Sequence, residues 1–149
     1  MKKEMLSEDE IVHSVAKVLD QIINKNKKTI LKDDFWVYPG FGWGFHLNQL
    51  STFGLPSLID HILFDTGVYK KILTKKQYAQ CMYVISEKPG EYYYPIHGHL
   101  EDKKLDEILM WVHWRCVVYV AHRLVKLGVD IKDYFDEFED IDFTKESGL

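Results

Sequence analysis

The sequence predicts a mainly α-helical protein, a bundle of four to six helices around a central buried helix over residues 101–127. Between Ile108 and Leu127, fifteen of twenty residues are apolar or aromatic. A helix that is apolar on most of its sides is normally surrounded by other helices. A strong helix start at Ser7 and a glycine stop at Gly128 support the same interpretation. The length of 149 residues fits one domain, residues 1–149.

The first helix has the clearest start signal in the chain. Ser7 is a good N-cap residue, and Glu10 three residues later completes a capping box. An apolar stripe then follows at helical spacing. It consists of Ile11, Val12, Val15, Val18, Leu19, Ile22 and Ile23. The polar stretch from Asn24 to Lys28 predicts the end of this helix, with lysines at its negative pole.

Residues 30–55 differ in kind from the rest of the chain. In the segment YPGFGWGF, glycines alternate with aromatic residues, which disfavours a helix. Short extended pieces at 35–38 and 43–47 are expected there, as a small β-hairpin or as an irregular loop. Such a loop is either an aromatic recognition surface or a lid folded over the core. Whether residues 91–96 form a further strand is open.

Short helices are predicted in the middle and at the end of the chain. Pro56 and Ser57 open a helix from Leu58 to Asp65 that Gly67 closes, and residues 68–73 either form a further turn or continue the helix. Thr74 and Gln77 cap the next helix, which Pro89 and Gly90 stop. A last helix is expected over residues 131–140.

Charge is distributed unevenly along the chain. The net charge is −4, but residues 128–149 alone carry eight carboxylates against two lysines. An acidic end argues against direct binding of nucleic acid, whose phosphates it would repel. It suits either a basic protein partner, because opposite charges speed encounter, or solubility alone.

Compartment and membrane signals point to a cytoplasmic protein. Cys81 and Cys116 fall on apolar helix positions and are expected to be buried thiols, as in a reducing compartment. No apolar segment follows the lysines of residues 1–3, so no signal peptide is predicted. Charged residues such as Arg115 and Arg123 interrupt the apolar run 108–127, which argues against a membrane span.

Few residues suggest catalysis, and no cofactor is predicted. His97 and His99, two residues apart on an extended segment, could bind one metal ion or could be ordinary surface residues. Arg115, Tyr119 and His122 share one face of the central helix, as a structural polar network or as a site. No serine or cysteine lies in a nucleophile motif.

In its size, its acidity and its lack of catalytic motifs, the whole chain resembles bacterial immunity proteins of contact-dependent growth inhibition systems. The resemblance implies a non-enzymatic protein that binds a cognate, basic, nuclease-type toxin in a tight 1:1 complex. Carboxylates would replace nucleic-acid phosphates or fill the toxin's active-site cleft. The residues expected to bind the partner are Asp133, Asp136, Glu137, Asp140, Trp36, Tyr38 and Trp43. The alternative is a small helical metal-dependent hydrolase that uses His97 and His99.

Overall fold

The computed structural model describes residues 6–41, 43–79, 100–138 and 140–149. Within these ranges the protein is mainly α-helical, with seven helices and one two-stranded antiparallel hairpin, which confirms the predicted fold class. Cys81 and the segment 91–96 lie outside the described residues, so the question of a strand there stays open.

Helix α1, Glu8–Asp33, begins at the predicted capping box. The Glu10 backbone N–H donates to Ser7 Oγ at 3.1 Å, and the Ser7 N–H donates to Glu10 Oε1 at 3.2 Å. The helix is longer than predicted, because it continues through residues 24–28 to a left-handed cap at Asp34 with φ 53°.

The polar stretch does not end α1 because one of its members is buried. The amide of Asn26 donates to the carbonyl of Val37 at 3.0 Å, and its oxygen accepts the Val37 N–H at 2.8 Å. Asn26 therefore pairs with both backbone polar groups of Val37 on the neighbouring strand. Ile30, one turn later, is fully buried. The lysines between them are exposed and follow the outer face of the helix.

The predicted extended pieces pair with each other. Strand β1, Phe35–Tyr38, lies antiparallel to β2, Trp43–His46. Helix α2, Leu47–Gln49, and a π-helical turn, Leu50–Gly54, lead directly into helix α3. For this reason α3, Leu55–Asp65, begins three residues before the predicted start at Leu58.

Two short helices follow α3. Helix α4 spans Val68–Ile72, after Gly67 in the left-handed region with φ 79°. Helix α5 begins at Lys75 and is described as far as Ala79. Its predicted cap is present, because the Gln77 N–H donates to Thr74 Oγ1 at 3.2 Å and the Thr74 N–H donates to Gln77 Oε1 at 2.9 Å.

Helix α6, Lys103–Leu127, is the predicted central helix. Asp102 caps its start by accepting the Leu105 N–H at 3.1 Å, and Gly128 ends it with φ 98°. Its burial is not complete, since Met110, Trp111 and Val125 are between 42% and 46% exposed. None of the helices in the described ranges is long and apolar enough to cross a membrane.

Helices α1 and α6 run in the same direction. Arg115 of α6 bonds to Glu8 and Asp9 at the start of α1, and Tyr119 bonds to Asp20 further along. Both helices therefore end on the same side of the molecule. The hairpin and α3 complete the core, in which Trp36, Phe45 and Leu58 are fully buried.

The prediction of one helix over residues 131–140 is wrong. The chain there forms two 3₁₀ turns, Ile131–Asp133 and Asp136–Phe138, followed by helix α7, Phe143–Ser147. Phe135 and Phe138 are both buried. Their spacing of three residues matches the 3₁₀ repeat of three residues per turn, so this geometry points both rings inward.

The Arg115 side chain joins α1, α6 and α7. Its Nη1 donates to Asp9 Oδ1 at 2.7 Å and to Glu8 Oε1 at 3.0 Å, and its Nε donates to the Ser147 carbonyl at 2.6 Å. Burial opposes the charge, but the bonds from Asp9 and Glu8 outweigh this effect and raise the pKa of Arg115.

We expect Arg115→Met to lower the free energy of unfolding by about 2 kcal/mol, because it removes charged hydrogen bonds and leaves the Ser147 carbonyl without its donor. Chemical denaturation measures this change. The matched control is Arg123→Met, which removes a more exposed pair with Asp20 and should cost less than about 1 kcal/mol. Equal losses in the two variants would contradict a special role for Arg115.

Candidate functional site

Two of the aromatic residues predicted to contact a partner lie in the core instead. Trp36 is 0% exposed and Tyr38 is 6% exposed, so the prediction is wrong for both. The pleat of β1 directs both side chains to the same inner face, while Val37 between them is exposed. The Tyr38 hydroxyl donates to the carboxylate of Asp65. The side chain of Trp43 lies outside the described part of the structure.

One of the predicted acidic residues lines a cleft. Asp133, Asp136 and Asp140 are all exposed, and the side chain of Glu137 is not described. Asp133 lines a cleft of about 430 Å³, and Asp136 and Asp140 lie outside its lining. The structure thus places Asp133 beside residues that the sequence analysis did not connect with it.

The residues that line this cleft with Asp133 come from the end of α1, from β2 and α2, and from Tyr134 beside it. Asp33 and Asp34 face the cleft together with Asp133. The remaining lining residues are His46, Leu47, Asn48, Gln49 and Tyr134. We name this site the acidic cleft.

Backbone geometry fixes Asp34 in the lining of the acidic cleft. Its N–H donates to the Ile30 carbonyl at 3.1 Å, and its own carbonyl accepts the Leu47 N–H at 2.9 Å. The left-handed conformation of Asp34 turns the chain from α1 into β1, and Asp tolerates this region better than most residues. The end of α1 and the end of the hairpin are therefore tied together at this residue.

The described lining of the acidic cleft carries negative charge. Among its described lining residues there are three carboxylates and no lysine or arginine. Asp33 and Asp34 also stand at the carbonyl end of α1, where the helix dipole adds negative potential. Lys32 and Lys132 are their neighbours in sequence but do not line the cleft. Within the described lining, a cationic group would therefore meet carboxylates and no lysine or arginine.

Arg115, Tyr119 and His122 share one face of α6 but lie in two different environments. Arg115 makes the structural contacts with α1 and α7 described above. The Tyr119 hydroxyl donates to Asp20 Oδ1 at 2.6 Å, and burial together with this bond raises the pKa of Tyr119. His122 packs against the Phe143 ring at 5.7 Å between centroids. Tyr119 and His122, without Arg115, line a second cleft between α1 and α6.

A further polar cluster that the sequence did not reveal lies inside the core. Asp60 Oδ1 accepts the Tyr69 hydroxyl at 2.5 Å and lies 3.0 Å from His113 Nε2. Asp60 is 1% exposed and His113 is 4% exposed. The cluster connects α3, α4 and α6 and has the character of a buried structural network.

The predicted metal ligands His97 and His99 lie outside the described residues. Within the described ranges, no three side chains of the His, Cys, Asp or Glu type are grouped so that they could hold a metal ion.

Comparison with known proteins gives no match: no family model fits the sequence, and no curated protein or solved structure is significantly similar to it.

Tyr134 reports on the charge in the acidic cleft. Its hydrogen bond to Asp34, with a contribution from burial, raises the pKa of Tyr134 from 10.0 to about 12. A tyrosine whose folded pKa is raised stabilises the fold below pH 10, and this contribution is lost as the pH rises towards 12.

We expect Asp34→Asn to lower the pKa of Tyr134 towards 10, because the substitution removes the negative charge that opposes ionisation. Ultraviolet absorbance during an alkaline titration measures this ionisation. Tyr134→Phe, titrated in parallel, gives the signal of the other tyrosines for subtraction. A Tyr134 pKa that stays near 12 in Asp34→Asn would contradict the assigned contact.

Proposed function

We propose that this protein is a non-catalytic immunity-type protein that binds a basic, nuclease-type toxin in a 1:1 complex through the acidic cleft. The observation that carries the proposal is the cleft itself, in which carboxylates from two distant segments, Asp33–Asp34 and Asp133, meet without a lining lysine or arginine. A cytoplasmic location is part of the proposal, because a nuclease toxin acts on nucleic acid inside the cell.

Repulsion between the carboxylates of the acidic cleft supports a binding role for this site. Carboxylates at the carbonyl end of a helix are unfavourable, and here two of them adjoin a third from another segment. A lysine or arginine side chain from a partner would relieve this repulsion and gain charge-assisted hydrogen bonds. At low ionic strength, the exposed Asp136 and Asp140 would add long-range attraction, which raises the association rate.

The binding test uses as candidate partners the products of the neighbouring reading frames that are basic. Asp33→Lys combined with Asp133→Lys reverses two cleft charges and spares Asp34 and its turn. We expect the dissociation constant from calorimetry to rise at least about 100-fold, since close interfacial charge pairs contribute about 1.5–7 kcal/mol each.

The matched control is Glu107→Lys combined with Glu146→Lys, which changes the net charge equally at exposed sites outside the cleft. We expect its dissociation constant to change less than about 3-fold at physiological salt, where distant charges are screened. Equal weakening by both double variants would refute the cleft as the binding site. Failure of every basic product of the neighbouring reading frames to bind would refute the function.

A further inference from the structure

The second cleft, which we name the basic cleft, lies between α1 and α6 and has a volume of about 460 Å³. Helix α1 contributes His13, Ala16, Lys17 and Asp20. Helix α6 contributes Tyr119, His122, Arg123 and Lys126, and Leu149 completes the lining. Asp20 is about 20 Å along α1 from Asp34, so the two clefts are separate.

The charge of the basic cleft is mostly unbalanced. Asp20 is the single acidic side chain among its described lining residues. Its carboxylate already accepts the Tyr119 hydroxyl and lies 3.0 Å from Arg123 Nε. In the described ranges, Lys17 and Lys126 take part in no salt bridge. Both lysines of the cleft are thus without a salt-bridge partner among the described residues.

The cations of the basic cleft also repel one another. His122 and Lys126 are four residues apart on α6, and Arg123 and Lys126 are three apart, so all three share one face. Lys17 and His13 approach from the facing helix. Burial lowers the pKa of His122, and the charges of Lys126 and Arg123 lower it further. An anion in the cleft would relieve this repulsion.

We propose that the basic cleft binds the phosphate group of a small phosphorylated molecule. Lys17 and Lys126 supply mobile ammonium groups, and the guanidinium of Arg123 is already oriented by Asp20. The rings of Tyr119 and His122 with Ala16 form a less polar wall against which an organic group can pack. The volume falls within the usual range of small-molecule sites and exceeds the needs of a bare phosphate ion. This proposal does not depend on the function proposed for the acidic cleft.

The test uses two probes, inorganic phosphate and phenyl phosphate, each compared with sodium chloride at equal ionic strength. Proton NMR follows the imidazole signals of His13 and His122 during each titration. We expect saturable shifts with at least one probe that chloride does not produce. Tighter binding of phenyl phosphate would identify an organic phosphate as the ligand, and equal binding would identify phosphate itself. Absence of saturable shifts with both probes would overturn the proposal.

The double variant Lys17→Gln with Lys126→Gln removes the two lysine charges of the cleft. We expect phosphate affinity to fall at least about 10-fold, because the loss of even one charge-assisted hydrogen bond is enough for a change of this size. Lys70→Gln with Lys71→Gln removes two exposed lysines of α4 and should leave the affinity unchanged. Equal affinity in the cleft variant and the control would overturn the assignment.

The pH titration of His122 distinguishes phosphate binding at this cleft from general attraction of anions to the protein. An anion bound beside His122 stabilises the imidazolium form, so saturating phosphate should move the His122 titration to higher pH. The charged or titratable side chains that line the cleft with this imidazole are Tyr119, Lys126 and Arg123 on α6 and His13, Lys17 and Asp20 on α1, and Leu149 of the last segment also lies in the lining. A His122 titration that is identical in phosphate and chloride would contradict binding at this position.

Discussion

The buried guanidinium of Arg115 holds both ends of the described chain against the middle of α6. A charge removed from water needs partners nearby, and here they are the first turn of α1 and the last turn of α7. Glu8 and Asp9 lie in the first turn of α1, where carboxylates also favour the helix dipole. This contact sets the axial position of α1 along α6. Asp20 then lies opposite Tyr119 and Arg123, and the two helices end on the same side.

Local chemistry made much of the fold predictable. The caps at Ser7, Thr74 and Gly128 depend on neighbouring residues alone, and all three are where the sequence indicates. The end of α1 was not predictable in this way, because Asn26 stays helical through a contact with Val37 on a strand. The 3₁₀ turns after Asp130 likewise depend on a core that receives Phe135 and Phe138.

The candidate site was less accessible to prediction than the fold. Asp133 stood out because the last segment is so acidic, but its partners Asp33 and Asp34 are a hundred residues away in sequence. One local signal existed: these two aspartates follow Lys32 at the end of α1, at a position where a helix favours cations. Aromatic content misled the assignment of Trp36 and Tyr38, since cores and interfaces use the same residues.

The parallel pairing of α1 and α6 also has a consequence during protein synthesis. Its hydrogen bonds join residues 99 to 107 positions apart in the chain. At about 5–20 residues per second, a ribosome makes α1 roughly 5–20 seconds before the partner segment of α6. During this interval the apolar stripe of α1 cannot pack against α6. The nascent chain therefore presents a helix suited to chaperone capture, and the native pairing forms only when most of the polypeptide has left the ribosome.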